Sequence, residues 1–343
     1  MTLFDPVGLV PTRPEPAPPR PRRSTGSRVA AIVGAVLIAA GVAFWAPWDP
    51  ARGHEIIDTV RIWVTPSPAE IVALADASGM SETGRRIFLA SSPELDEAEA
   101  FNANCTVEEQ IVLGCYGGGQ IYLYRVTDER LSGTNEATAA HEMLHAAYER
   151  LSPADRERID GLLAALLASL PEDHALHEEL AAYSPDEQAD ELHSRAGIEV
   201  DDLAPELEEY YARYFVDRTV VQELYHRSNA ALDETLGRID ELTAELDRLG
   251  ADIEKRREAW DAASSELDDE IEAYNASGWT PDSDRTYLEL VERSDARERE
   301  RLALVADIDH YNELVAELDE LNATGTELYE QLDSMSGARE PAP

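Results

Sequence analysis

Apolar residues recur at every seventh position in the last third of the chain. The series consists of Ile239, Leu246, Ile253, Trp260, Leu267 and Tyr274. Such a repeat, with further leucines at the intervening partner positions, forms the apolar seam of a coiled coil. A loop at residues 275–281 interrupts the seam, and a second apolar run follows it. The pattern predicts an antiparallel coiled-coil hairpin at residues 223–335, with solvated charged faces, and a disordered tail at residues 336–343.

A different apolar pattern occupies residues 29–48, which carry no charged side chain. Twenty helical residues at 1.5 Å each span about 30 Å, the thickness of a bilayer core. The preceding residues, 1–28, contain several prolines and five arginines, which predicts a disordered tail that stays in the cytoplasm. We therefore predict a single-pass helix in the cell membrane, with the C-terminal region extracytoplasmic.

Two other interpretations of residues 29–48 stay open. One is a cleavable signal peptide with Gly41-Val42-Ala43 as a weak processing site, although the apolar run is long for such a peptide. The other is a buried core helix. The basic residues before the run and the acidic residues after it argue against a core helix and favour the anchor.

Short strand and helix signals fill residues 49–222, between these two patterns. Apolar runs predict strands at residues 86–90, 110–113 and 120–126, and glycines separate the last two. Helix starts are marked by the serine-proline pairs that begin at Ser67, Ser152 and Ser184. The predicted fold class is therefore α+β: a small domain after one N-terminal transmembrane helix, followed by the α-helical hairpin.

The charge and cysteine content limit the partners and the compartment. The chain has 70 acidic and 29 basic residues, and its net charge of −41 excludes nucleic acid as a partner for most of it. Its two cysteines, Cys105 and Cys115, are close in sequence and are predicted to form a disulfide in an oxidising compartment. Closing that loop contributes about 2–3 kcal/mol. Metal binding by the pair is the weaker alternative, because no third cysteine exists.

The candidate chemistry lies at His141, Glu142 and His145, within an alanine-rich stretch that favours helix. Two histidines four residues apart leave one face of a helix together. In the H-E-x-x-H arrangement the paired imidazoles bind Zn²⁺ and the glutamate acts as general base. The alternative is an incidental pair of surface histidines beside a glutamate.

With this motif, residues 105–200 resemble the zincin metallopeptidases, a similarity that covers under a third of the chain. The resemblance implies a zincin-like domain, Zn²⁺ as cofactor, and the strand at residues 120–126 as the edge strand before the active-site helix. The metzincin branch requires glycine and histidine where this chain has Tyr148 and Leu151, so that branch is excluded. The gluzincin branch takes its third ligand, a glutamate, from a later helix.

The helix predicted to begin at Pro185 offers two such glutamates, Glu187 and Glu191. We predict Glu191 as the third ligand because it lies well inside the helix, whereas Glu187 occupies the first turn. In gluzincins an aspartate four residues after the ligand supports a histidine, and Asp186 and Asp190 have that spacing with aspartate in the ligand position. These acids also fit a solvated helix N-terminus with no metal.

Two functions from different classes follow. The first is a membrane-anchored extracytoplasmic zinc metallopeptidase, with Glu142 as general base and a peptide substrate bound along residues 120–126 by β-augmentation. Its transition-state stabilisers are unassigned, and His193 and Tyr183 are candidates by proximity to the ligand helix. The second is a non-catalytic envelope scaffold, in which the hairpin binds a protein partner and the metal site is incidental or structural.

Overall fold

The computed structural model of the protein describes residues 50–105 and 112–334. The chain divides into two compact units, residues 1–56 and 57–343. Of the first unit only the start of one helix is described, so the fold below is that of the second unit. Three predicted segments lie outside the described residues: the tail at 1–28, the transmembrane helix at 29–48 and the tail at 336–343.

Helices account for most of the described chain. Before the sequence motif the elements are α1 (Pro50–Val64), α2 (Ala69–Ala77), α3 (Glu82–Ala90), β1 (Glu94–Asp96), α4 (Ala98–Asn104), β2 (Gly114–Gly117), β3 (Gln120–Tyr124) and a 3₁₀ turn (Glu129–Leu131). The motif helix and its successors are α5 (Thr134–Glu149), α6 (Pro153–Ser169), α7 (Ala175–Ala181), α8 (Pro185–Ile198), α9 (Pro205–Tyr211), α10 (Arg218–Ala276) and α11 (Ser283–Leu332).

The three strands form one small sheet in the order β1-β3-β2. Strand β1 runs parallel to β3, and β2 pairs with β3 in antiparallel fashion. The two antiparallel strands are joined by Gly118 and Gly119, which both adopt positive φ angles, as a tight two-residue hairpin requires. The strand predicted at residues 120–126 is therefore present as β3, but its predicted edge position is wrong. It is the central strand, and β1 and β2 are the two edges.

Two other strand predictions are wrong. Residues 86–90 belong to helix α3, which begins where the Ser81 hydroxyl accepts hydrogen bonds from two backbone amides at 3.2 Å. The end of this helix is buried on several sides, which makes its short apolar run indistinguishable from a strand by periodicity. Of residues 110–113, only Val112 and Leu113 are described, and both precede strand β2.

Every helix within residues 50–105 and 112–334 is too short or too polar to traverse a bilayer. The sheet is limited to three strands of at most five residues, and the rest of the ordered backbone is helical. The predicted fold class, an α+β zincin-like domain behind a transmembrane helix, is therefore wrong. The described protein is mostly helical, because packing against helices rather than against a large sheet buries its apolar residues.

Helix α5 is the centre of the core. Four of its alanines, Ala139, Ala140, Ala146 and Ala147, are fully or almost fully buried. Such small side chains let neighbouring helices approach closely, and α8 also presents a glycine to α5: a Cβ on Gly197 would lie 2.5 Å from the Leu144 side chain. This close packing of α5 and α8 brings the functional side chains of the two helices together.

Helices α10 and α11 form an antiparallel pair, as the heptad pattern predicts. Arg238 on α10 bonds Glu317 on α11 at 2.7 Å, while Arg256, further along α10, bonds Glu300 at 2.8 Å. Leu242, Leu246 and Leu314 lie buried between the two helices. The 59 residues of α10 extend for about 90 Å as one continuous helix. Because it begins at Arg218, the predicted domain boundary between residues 222 and 223 falls inside a helix.

The start of α10 contacts the start of α5 through backbone. Gly133, the residue before α5, has a φ angle of 102°. A Cβ at this position would lie 2.5 Å from the Leu224 carbonyl oxygen in α10. Only glycine satisfies both the left-handed conformation and the close approach. The position of the motif helix is thus fixed against the base of the hairpin.

We predict that Gly133→Ala lowers the free energy of unfolding by about 2–3 kcal/mol, because alanine is strained at this φ angle and collides with a backbone oxygen. Gly161→Ala is the matched control, since this exposed helical glycine has open space around it and should gain about 0.5–1 kcal/mol. Chemical denaturation of both variants measures the two changes. Equal effects of the same sign would contradict the proposed contact.

Candidate metal centre

His141 and His145 lie on one face of α5 and their rings meet edge to face, with centroids 4.7 Å apart. Their Nε2 atoms are 3.0 Å apart. Both side chains are largely buried, with 17% and 16% of their surface exposed. The helical spacing that the sequence provides therefore results in two converging nitrogen atoms.

Glu191 on α8 completes a group of three possible ligands with the two histidines. Its Oε1 lies 3.7 Å from the His141 Nε2, and its Oε2 lies 3.4 Å from the His145 Nε2. Two ligand atoms about 2.0–2.1 Å from a tetrahedral zinc ion are roughly 3.3–3.4 Å apart. The three donor atoms thus already have nearly the spacing of a zinc site, and their chemistry, two imidazoles and one carboxylate, suits zinc.

Glu187, the alternative third ligand, is used differently. It is exposed, and its carboxylate accepts hydrogen bonds from the Ser184 backbone amide at 3.2 Å and from the Ser184 hydroxyl at 2.6 Å. This contact caps the start of α8. Between the two glutamates, the structure places Glu191 with the histidines and Glu187 at the helix terminus.

Asp190 supports one of the histidines. Its Oδ1 lies 2.9 Å from the His145 Nδ1, so the ring is oriented with Nε2 towards Glu191. Burial works against a charge on His145, but in the metal-free site its hydrogen bonds to Asp190 and Glu191 raise the pKa to about 10. Sequence spacing suggests an aspartate in this role. The spacing rule places this aspartate four residues after the ligand, whereas Asp190 is the residue directly before Glu191.

Arg195 holds the far side of the Glu191 carboxylate. Its Nε donates to the Glu191 Oε1 at 2.6 Å, and its Nη1 donates to Glu179 at 2.7 Å and to Glu199 at 3.2 Å. Although burial opposes ionisation of the Glu191 carboxyl, hydrogen bonds to the two histidines hold its pKa far below the ordinary value. Sequence reasoning missed Arg195, and the only local signal is its position four residues after Glu191.

Glu142 is buried beside this group, with only 4% of its surface exposed. Burial raises the pKa of its carboxyl above the ordinary value, while the charges of the neighbouring histidines lower it. Strand β2 passes directly over it: a Cβ on Gly114 would lie 2.7 Å from the Glu142 Oε1. The site therefore requires glycine at position 114. The sequence alone indicates only that this glycine separates two strands.

A cavity of about 230 Å³ opens next to these residues. Side chains of α5 and α8, including His141, Glu142 and Glu191, line it together with residues 112–114 and part of α10. A small cleft bounded by several elements, with titratable groups at one side, is the usual setting of a binding or catalytic site.

The two predicted transition-state stabilisers have different environments. Tyr183 lines the cavity, and burial, together with the charge of Glu191, raises the pKa of its phenol, so the O–H group keeps its proton at neutral pH. His193 is fully buried away from the cavity lining and bonds the Tyr210 hydroxyl at 2.8 Å. Burial lowers the pKa of His193 to about 3. We therefore assign His193 to the core and keep Tyr183 as the candidate.

Scans against protein-family models, curated proteins and solved structures find no match to this chain. The resemblance to zincins therefore rests on the motif and on the geometry of the side chains around it. The donor set and its spacing fit a zinc ion, and the buried carboxylate of Glu191 favours a cation there.

We predict that the purified protein binds about one zinc ion per chain, and that His141→Ala, His145→Ala and Glu191→Ala each lose stoichiometric metal. Glu187→Ala is the matched control: it removes a helix cap but no donor atom, so zinc content should stay near the wild-type value. Elemental analysis of dialysed protein gives the readout. Unchanged zinc in all three ligand variants would refute the centre, and loss in Glu187→Ala with retention in Glu191→Ala would move the third ligand.

Proposed function

We propose that the protein is a zinc-dependent peptidase. One observation carries this proposal: three donor atoms converge beside a cavity, and a buried carboxylate that donates no atom to the group, Glu142, lies next to them. A purely structural zinc site has four protein ligands, whereas a catalytic site has three and keeps one position for water or substrate. The described residues supply three.

Zinc held by His141, His145 and Glu191 would supply a Lewis acid and would lower the pKa of a bound water to about 7. Glu142 accepts the proton of the attacking water and passes it to the leaving amine. Its burial suits this role, because a raised pKa makes the carboxylate a stronger base towards the water proton. Asp190 keeps the His145 ring oriented, and Arg195 keeps the Glu191 carboxylate in place.

A peptide substrate fits the sheet edge at β2. The structure places β3 in the middle of the sheet, so β-augmentation along residues 120–126 is replaced by addition to the edge strand Gly114–Gly117. Gly114 lies against Glu142, which brings a substrate backbone on this strand close to the general base. The Tyr183 phenol lines the same cavity and is the candidate donor to the developing oxyanion.

We predict that Glu142→Gln keeps its zinc and its fold but loses peptide-bond cleavage by about 10²–10⁴-fold, because glutamine keeps the shape of the side chain without the base. A library of mixed peptides is the starting substrate, with metal content measured on the same samples. Glu157→Gln makes the same change at an exposed position on α6 outside the cavity, and this matched control should keep activity. Cleavage that survives in Glu142→Gln would reject the mechanism.

One experimental result would favour the second function, a scaffold whose hairpin binds a protein partner. Wild-type protein that contains a full complement of zinc but cleaves nothing across a broad library would favour it. The exposed hairpin faces suit a partner under either function.

We also propose that residues 57–334 fold in an oxidising, extracytoplasmic compartment. The Cys105–Cys115 disulfide supports this, since such bonds persist mainly outside reducing compartments. Thiol titration of denatured protein taken from its native source should find no free cysteine. Two free thiols per chain would contradict the proposed compartment.

A further inference from the structure

The base of the hairpin shares the cavity with the candidate metal centre. Tyr225, Ser228 and Asn229 on α10 line the same space as His141 and the other site residues. These three residues belong to the segment that the heptad pattern assigns to a separate coiled coil. The start of α10 is therefore part of the cleft.

Both helices that carry the candidate ligands are tied to this part of α10. Helix α5 is held through the close approach of Gly133 to the Leu224 backbone. Helix α8 is held just beyond its end: the buried side chains of Arg218 and Gln222 both donate to the Val200 carbonyl, at 2.6 Å and 3.0 Å. The three cavity residues of α10 thus have a fixed position relative to the donor atoms.

Contacts on α10 also fix the side chains of the cavity wall. The Ser228 hydroxyl and the Asn229 amide nitrogen both donate to the Tyr225 carbonyl, at 2.7 Å and 3.1 Å. With its amide nitrogen bonded to the helix, Asn229 presents its side-chain oxygen as the acceptor. Tyr225 lines the same cavity, and burial raises the pKa of its phenol, so this side chain is uncharged at neutral pH.

Another part of the cavity lining suits a main chain in extended conformation. Val112, Leu113 and Gly114 lead into and begin the edge strand β2. An extended peptide paired with this edge directs alternate N–H and C=O groups away from the strand. The Asn229 side-chain oxygen, an uncharged acceptor in the same cavity, is the complement of such an N–H group.

We propose that the first turns of α10 recognise the substrate, with Asn229 accepting a hydrogen bond from a main-chain N–H of an extended peptide and Tyr225 contacting the neighbouring side chain. This inference rests on the proposed peptidase function and deepens it. The hairpin is then joined to the peptidase through its substrate cleft.

Peptide hydroxamates test the proposal by binding alone. The hydroxamate group ligates zinc, and a short capped peptide attached to it lies in the cleft. Calorimetry with the zinc-loaded full chain should show binding about three- to tenfold weaker for Asn229→Ala, the range of one lost hydrogen bond, and at least as much weaker for Tyr225→Ala. Asn322→Ala and Tyr287→Ala, exposed positions on α11, are matched controls and should bind within about twofold of wild type.

N-methylation of the probe separates recognition from a structural effect. Methylating each peptide nitrogen in turn should weaken wild-type binding at the positions that pair with β2 and at one further position, and only at that further position should the penalty disappear in Asn229→Ala. The proposal is overturned if no methylated position weakens wild-type binding, or if Asn229→Ala and Tyr225→Ala bind the peptide hydroxamate like the controls. Zinc content and the thermal unfolding midpoint are measured for every variant. Methylation penalties are compared between the wild type and variants with full zinc content, and Asn229→Leu, which also lacks the acceptor, replaces Asn229→Ala if that variant loses metal.

Failure of the proposed function gives a different result. Acetohydroxamate, which has no peptide, serves as the reference probe. A wild-type protein that binds neither zinc nor acetohydroxamate contradicts the metal centre and the peptidase proposal together. A wild-type protein that binds zinc and gains affinity from the peptide, but binds the peptide hydroxamate as tightly in Asn229→Ala and Tyr225→Ala, contradicts only the role of α10.

Discussion

The buried carboxylate of Glu191 is the constraint on which the rest of the site depends. A carboxylate that is 95% buried is costly unless positive charge and hydrogen bonds surround it. Arg195 supplies one bond at 2.6 Å, and the two imidazoles face the remaining oxygen positions at 3.4–3.7 Å. A metal cation between the imidazoles and the carboxylate would compensate the charge fully. Buried alanines and Gly197 let α5 and α8 pack closely enough to bring Glu191 near the two histidines.

The hairpin is not an independent appendage, because its base contacts both helices that carry the candidate ligands. Helix α8 ends at Ile198, and the following backbone is bonded by side chains of α10. The start of α5 contacts the same helix through Gly133. A coiled coil of about 90 Å is thus attached at the point where both ligand-bearing helices are held. Anything that tilts its base would act on the cleft directly, whereas its distal part is free to contact a partner.

Local sequence patterns predicted those features that a single helix determines. The pair His141 and His145 needs only the spacing of one helix, and the preference for Glu191 over Glu187 needs only its distance from the helix start. The hairpin follows from a repeat that continues over many turns. In each case the residues that decide the outcome are near one another in sequence.

Features set by tertiary packing were not predictable in this way. The contact of Gly114 with Glu142, the bond from Arg195 to Glu179 beside the candidate ligand Glu191, and the presence of Tyr225 in the cavity all join separate elements. The α+β class failed for the same reason. The apolar run at residues 86–90 fits a strand or a buried helix equally well, and its burial among helices decided the result.

X-ray absorption spectroscopy of the zinc-loaded full chain tests the central claim most directly, because it reports the donor atoms themselves. The account predicts four light donors at about 2.0–2.1 Å, with the outer-shell scattering of two imidazoles. In His145→Ala, which loses a ligand, this bound-zinc spectrum should be absent from dialysed protein. A sulfur donor at about 2.3 Å, or a spectrum with no imidazole scattering, would contradict the centre formed by His141, His145 and Glu191.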